Sequence, residues 1–185
     1  MDLLFVWYAI TLLGTPEYWA FLAAGLTAAY FILGFAIPES QTWKKHRPFF
    51  RKFLLILVPS LLIFLGAAFA IKTFAPIPRP CTPCTSSLTD CLSQDCISQY
   101  CNPYCPEDSS FPSGHAGTMF TVFTSLYLTG RKKLILPLFI IPVLVSYSRV
   151  ALGVHTWIDV LAGAILGLVI PILASVMLQK RHKPQ

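Results

Sequence analysis

Residues 53–71 read FLLILVPSLLIFLGAAFAI, nineteen consecutive residues without a charge. A helix needs roughly 20 such residues to cross the hydrocarbon core of a bilayer. Residues 18–37 (YWAFLAAGLTAAYFILGFAI) and 160–178 (VLAGAILGLVIPILASVML) are runs of the same kind. Weaker candidates lie at 116–130, rich in Thr and Ser, and at 134–148, which contains Pro137 and Pro142. Proline is tolerated in membrane helices because neighbours re-satisfy the freed carbonyls. The opening run, 3–13, is too short to cross unaided and reads as an interfacial or re-entrant helix ended by Gly14-Thr15-Pro16. Asp2 stands where a signal peptide would carry basic residues. The expectation is an all-α polytopic membrane bundle, with five spanning helices and a short N-terminal interfacial helix, in one domain over residues 1–185. Packing these runs as core helices of a soluble protein is the rival. It fits poorly a chain that is 55% hydrophobic and 12% charged, against roughly 25% charged in soluble domains.

The cations orient this bundle. Lys44, Lys45, Arg47, Arg51 and Lys52 lie between the first two long runs; Arg131, Lys132 and Lys133 lie between the two weaker ones; Lys180, Arg181 and Lys183 form the tail. Five crossings put all three clusters on one face, which the positive-inside rule makes cytoplasmic. Only Lys72, Arg79 and Arg149 fall on the other face, each near the end of an apolar run, where an ionisable residue is costly and usually functional. The net charge of +6 then reflects topology and attraction to anionic lipids, not nucleic-acid binding.

Residues 76–112 form one long polar stretch on the outer face, and it contains all six cysteines: Cys81, Cys84, Cys91, Cys96, Cys101 and Cys105. An even number facing an oxidising compartment reads as a disulfide framework, whose pairing the sequence does not choose. Zinc is the rival, since Cys81-x2-Cys84 has ligand spacing and Cys101-x3-Cys105 could supply a second pair. Four ligands would leave two cysteines without a role, so disulfides are favoured. Either way the stretch reads as a structural cap over the outer mouth.

Three blocks fall at successive outer helix ends: Lys72-x6-Arg79-Pro80, Pro112-Ser113-Gly114-His115, and Ser148-Arg149-x5-His155-x3-Asp159. Three cations converging on one face make a site for a multiply charged anion. Ser113 and Gly114 at a helix N-terminus would add backbone N–H groups to hold a phosphate oxygen, and Gly114 lets the backbone approach closely. His155 and Asp159 share a face if both are helical. The carboxylate can then take Nδ1–H and leave Nε2 as a nucleophile. His115 is available to protonate a leaving oxygen. No carboxylate cluster is present to hold Mg²⁺ or Mn²⁺, so the reading needs no metal and no cofactor. Each block alone has a bland reading: an interfacial polar pair, an N-cap turn, a snorkelling lysine. In this order and on one face, together they read as phosphoryl-transfer machinery.

These blocks resemble the signature of the type 2 phosphatidic acid phosphatase superfamily, which includes lipid phosphate phosphatases, undecaprenyl-diphosphate phosphatases, glucose-6-phosphatase, acid phosphatases and vanadium haloperoxidases. All eleven specified residues stand at the family spacing, over roughly residues 53–178. The cysteine-rich insert is not part of the general pattern and bears on substrate access. The resemblance implies that His155, oriented by Asp159, attacks phosphorus to form a phosphohistidine. His115 would protonate the leaving group and then activate water. Lys72, Arg79, Arg149, Ser113 and the N–H of Gly114 would hold the equatorial oxygens.

Membrane burial makes a lipid phosphate the expected substrate: a polyprenyl diphosphate first, by analogy, with phosphatidic acid and phosphatidylglycerol phosphate as alternatives. Two rival functions remain. One is a lipid phosphotransferase using the same phosphohistidine, which an acceptor assay separates. The other is a non-catalytic lipid-binding protein with the cysteine loop as a recognition cap; loss of a catalytic residue would favour it, and none is lost.

Overall fold

The computed structural model describes residues 3–81 and 105–181. Its elements are α1 (Leu3–Leu12), α2 (Pro16–Ala36), α3 (Gln41–Phe74), α4 (Gly114–Thr129), α5 (Lys132–Ile135), a 3₁₀ turn (Leu136–Phe139), α6 (Ile140–Ala151) and α7 (Trp157–Arg181). Among the described residues there is no strand, and the expected all-helical membrane bundle is what forms. Phe5–Ala36, Gln41–Phe74, Lys132–Ala151 and Trp157–Lys180 are long and apolar enough to cross a bilayer.

The fifth long helix, α4, is built differently because of where it sits. It packs against α3, α6 and α7, and also touches α2. Surrounded by helices, it needs no lipid-compatible exterior, which explains its polar composition and its length of only 16 residues. Two of its buried hydroxyls turn back onto its own backbone: Thr121 Oγ1 donates to the Gly117 carbonyl at 2.8 Å, and Ser125 Oγ to the Thr121 carbonyl at 2.8 Å. Such bonds satisfy groups that would otherwise be costly in an apolar interior. Around α4 the core is made of Phe53, Leu54, Leu57 and Leu61 of α3, Met119, Val122 and Phe123 of α4, and Val145 of α6. The outward faces are apolar too, as with Phe21, Phe35 and Phe69, which is the pattern of a protein solvated by lipid.

Two glycines set the closeness of α4 and α7. A Cβ on Gly163 would overlap the Ser113 carbonyl oxygen, and one on Gly167 would overlap the Gly117 carbonyl oxygen. Small residues four apart let two membrane helices approach backbone to backbone. This contact fixes the start of α4 against the first turns of α7.

The 134–148 segment is less regular than a single span. Pro137 lies in the 3₁₀ turn and Pro142 in the first turn of α6. Each lacks the N–H that would continue an α-helical ladder, so α5 and the 3₁₀ turn precede α6. The opening run forms α1, which packs on α6. Trp7 meets Tyr147 edge-on at 5.1 Å, and Tyr147 in turn lies 6.0 Å from Trp157. Aromatic groups of this kind favour the membrane–water interface.

Candidate active site

Five helix ends meet at one end of the bundle: the start of α2, the end of α3, the start of α4, the end of α6 and the start of α7. At the end of α3, Lys72 and Arg79 point at a common carboxylate. Asp108 forms an ion pair with Lys72 and another with Arg79 Nη2 at 2.5 Å. Arg79 is the most heavily engaged side chain in the site. Its Nε donates to the Asp108 carbonyl at 3.0 Å, and Nη1 donates to the Val154 carbonyl at 2.9 Å. The Cys81–Cys105 disulfide ties the chain just beyond Arg79 to the chain just before Asp108, so the cation and its acid are held together covalently. Burial alone would raise the Asp108 pKa, but the hydrogen bonds from Lys72 and Arg79 outweigh it and hold the carboxyl below its usual range. Cys84, Cys91, Cys96 and Cys101 lie outside the described residues.

His155 meets the same arginine. Its Nε2 lies 3.0 Å from Arg79 Nη1, and a guanidinium can only donate. Nε2 is therefore the acceptor and Nδ1 carries the proton, toward the acid side of the site. The histidine–aspartate pair does not arise as expected from the sequence. His155 precedes α7, in the turn that follows α6, and only Asp159 is helical. The turn brings them together instead, with Nδ1 to Oδ2 at 3.6 Å, and Ser110 bridges them. Ser110 Oγ donates to Asp159 Oδ2 and lies 3.4 Å from His155 Nδ1. Asp159 Oδ2 also accepts from the Thr156 N–H at 2.7 Å, while Thr156 Oγ1 accepts from the Asp159 N–H at 3.3 Å. That reciprocal box caps α7 and fixes the carboxylate.

Gly153, with φ of 69°, makes this turn possible, since a left-handed residue with a Cβ would be strained. His155 is buried, at 3% exposure. Burial first, then the charges of Arg79 and Arg149, hold its pKa down at about 3, against a smaller opposing pull from Asp159. The ring is neutral at physiological pH, as a nucleophile requires.

Arg149 ends α6, is 5% exposed, and donates from Nη1 to Thr11 Oγ1 of α1 at 3.0 Å. Its Nε has no hydrogen-bond partner among the described residues, and neither does the buried Ser113 Oγ. Orphaned buried donors are uncommon in native proteins; two lie at this site, and among the described residues five more unpartnered buried side-chain atoms lie on α3, α4 and α6. Ser113 is the N-cap of α4. Its N–H donates to the Asp159 carbonyl at 3.0 Å, so it is engaged in joining α4 to α7. The Gly114 N–H, at the first position of α4, has no intrahelical acceptor. A Cβ on Gly114 would meet only Pro16 Cγ, at an ordinary 3.5 Å; packing does not demand the glycine. His115 follows, its ring against Gly14, and the charges of Arg149, Arg79 and Lys72 all act on it.

The sequence-predicted residues thus meet at one end of the bundle, joined by three that sequence reasoning missed. Asp108 and Ser110 stand just before Phe111-Pro112-Ser113 and could have been noticed as the acid and hydroxyl nearest that block. Thr11 carries no local signal, since only the packing of α1 on α6 brings it to Arg149.

Over residues 53–183 the chain matches the sequence profile of the PAP2 superfamily. Over 62 residues it is 50% identical to an undecaprenyl-diphosphatase of Sulfolobus acidocaldarius, a stretch covering 34% of this chain and 30% of that protein. The chain therefore aligns with under a third of that relative's length. Its fold resembles a transmembrane PAP2-type phosphatidylglycerolphosphate phosphatase from Bacillus subtilis, with a TM-score of 0.62 and 24% identity, covering 99% of this chain and 80% of that one. It also resembles LpxE of Aquifex aeolicus, with a TM-score of 0.52 and 23% identity, covering 94% and 95% of the two chains. The family profile spans the ends of α3, α4, α6 and α7 that carry the site, and the chain belongs to the PAP2 superfamily.

Proposed function

We propose that this protein is an integral-membrane lipid-phosphate phosphatase that works through a phosphohistidine, without metal, on the non-cytoplasmic face. One observation carries the reading: a neutral His155 whose Nε2 faces Arg79 and whose Nδ1 is backed by Ser110 and Asp159. In the first step Nε2 attacks phosphorus and the P–O bond to the lipid breaks, with His115 giving its proton to the departing oxygen. In the second, His115 takes a proton from water, which attacks phosphorus and breaks the P–N bond, releasing phosphate and restoring His155. Lys72, Arg79, Arg149, Ser113 and the Gly114 N–H hold the equatorial oxygens, where negative charge is concentrated through the transfer. Asp108 holds two of these cations in place and must yield them when phosphate enters.

A polyprenyl diphosphate is the favoured substrate. The stretch of high identity to an undecaprenyl-diphosphatase supports it, and the apolar flanks of the bundle suit a long lipid tail. Phosphatidic acid and phosphatidylglycerol phosphate offer the same chemistry. The test is phosphate release by the detergent-purified protein from undecaprenyl diphosphate and phosphatidic acid, with chelator present and His155→Ala alongside. Release by the parent and none by the variant is expected. Equal release by both would remove His155 as the nucleophile, and loss of release on chelation would remove the metal-free mechanism.

A further inference from the structure

Far from this site, at the opposite end of α3, Lys44, Arg47 and Arg51 are spaced three and four apart and so lie along one stripe of the helix. With Tyr30 of α2 and Pro48 they line a polar mouth of about 440 Å³. Through Tyr30 and Arg51 the mouth continues into a groove between α2 and α3 lined by Phe31, Leu54, Leu55 and Val58. That groove shares Thr27, Phe31 and Val58 with a further apolar stretch reaching Leu65. From Arg51 to Leu65 the helix rises about 21 Å, more than the roughly 15 Å of one hydrocarbon leaflet.

The charges of the mouth are unequally used. Lys44 pairs with Glu39 at 2.6 Å. Among the described residues Arg47 and Arg51 are in no ion pair, and both are exposed. An arginine fork matches phosphate oxygens in pairs, and the Tyr30 hydroxyl adds a donor. A cationic mouth on an apolar shaft is complementary to a phosphate headgroup carrying an acyl chain. A free phosphate would use only the mouth.

We infer that the α2–α3 groove is a binding site for an anionic phospholipid, its phosphate on Arg47 and Arg51 and one acyl chain between the helices. The site is separate from the phosphatase reading and does not depend on it. Because α2 joins the bundle through α3 and only thinly through α4, an occupant here would fasten α2 to its neighbour.

The test is native mass spectrometry of the full-length protein in detergent, titrated with phosphatidylglycerol, with phosphatidylcholine of the same chains, and with inorganic phosphate. One phosphatidylglycerol should be retained, about tenfold more tightly than phosphatidylcholine. Arg47→Gln/Arg51→Gln should weaken it about 30-fold, as expected for two basic residues at a lipid surface. Thr27→Phe, which fills the shaft without altering charge, should weaken it as well. Lys132→Gln/Lys133→Gln, equal in charge and at the same end of the bundle, should leave it unchanged. Equal retention of both lipids, an equal loss in the Lys132/Lys133 control, or no effect of Thr27→Phe would overturn the proposal. So would inorganic phosphate binding as tightly as the lipid.

Discussion

Burying an imidazole among guanidinium groups keeps it neutral and is also a liability. The His155 pKa is about 3, against an ordinary 6.5. Between those values the unfolded chain takes up a proton that the folded chain refuses, so stability falls as pH drops through that window. His155→Gln should flatten this fall, read as the slope of the thermal midpoint against pH in detergent; an unchanged slope would assign the dependence to other groups. Asp108 has the complementary role, as an internal anion on Lys72 and Arg79. Asp108→Asn should free both cations for phosphate and tighten inhibition by inorganic phosphate roughly tenfold, the worth of one charged hydrogen bond. Unchanged or weaker inhibition would show that the carboxylate positions the cations and does not compete for them. Ser110→Ala should lower kcat with little change in KM, since Ser110 touches His155 and Asp159 rather than any group proposed to hold the equatorial oxygens. None of these three effects could be foreseen from the three motif blocks alone.

At the scale of elements, the crossing of α4 and α7 holds the site together. Gly163 lies against the Ser113 carbonyl and Gly167 against the Gly117 carbonyl, so the N-cap of α4 sits where the Asp159 carbonyl can accept from Ser113. Gly163→Ala must push the helices apart, at a cost of roughly 1–3 kcal/mol, and should lower both the thermal midpoint and activity. Gly25 of α2 faces open space, so Gly25→Ala should leave activity intact and stabilise by up to about 1 kcal/mol through helix propensity. If both variants behaved alike, the close crossing would not be what positions Ser113. The apolar runs and their ends were legible in the sequence because lipid solvation demands long uncharged stretches. The break before α6 was legible only as two prolines, and the small-residue crossing not at all, because glycines in an apolar run do not say which helix they face.

For the molecule as a whole, the ends of α3, α4, α6 and α7 that carry the site are at one end of the bundle, and connectivity puts the basic clusters at 44–52 and 131–133, with the end of α7 at Lys180, at the other. The positive-inside rule then predicts the orientation. An epitope inserted after Glu107 should be bound by antibody on intact cells, and one inserted after Gly130 only after permeabilisation. The reverse pattern would turn the site inward and overturn the outward-facing assignment. By itself the sequence determined the membrane class and the helical architecture, and singled out the cations and histidines at the outer helix ends, because hydropathy and motif spacing are local properties written along the chain. Only the tertiary structure decided that His155 sits in a turn and not on α7, that Ser110 bridges it to Asp159, that Asp108 holds Lys72 and Arg79, and that α1 brings Thr11 to Arg149. Each is a contact between segments distant in the chain, set by how helices pack, which no single stretch of sequence encodes.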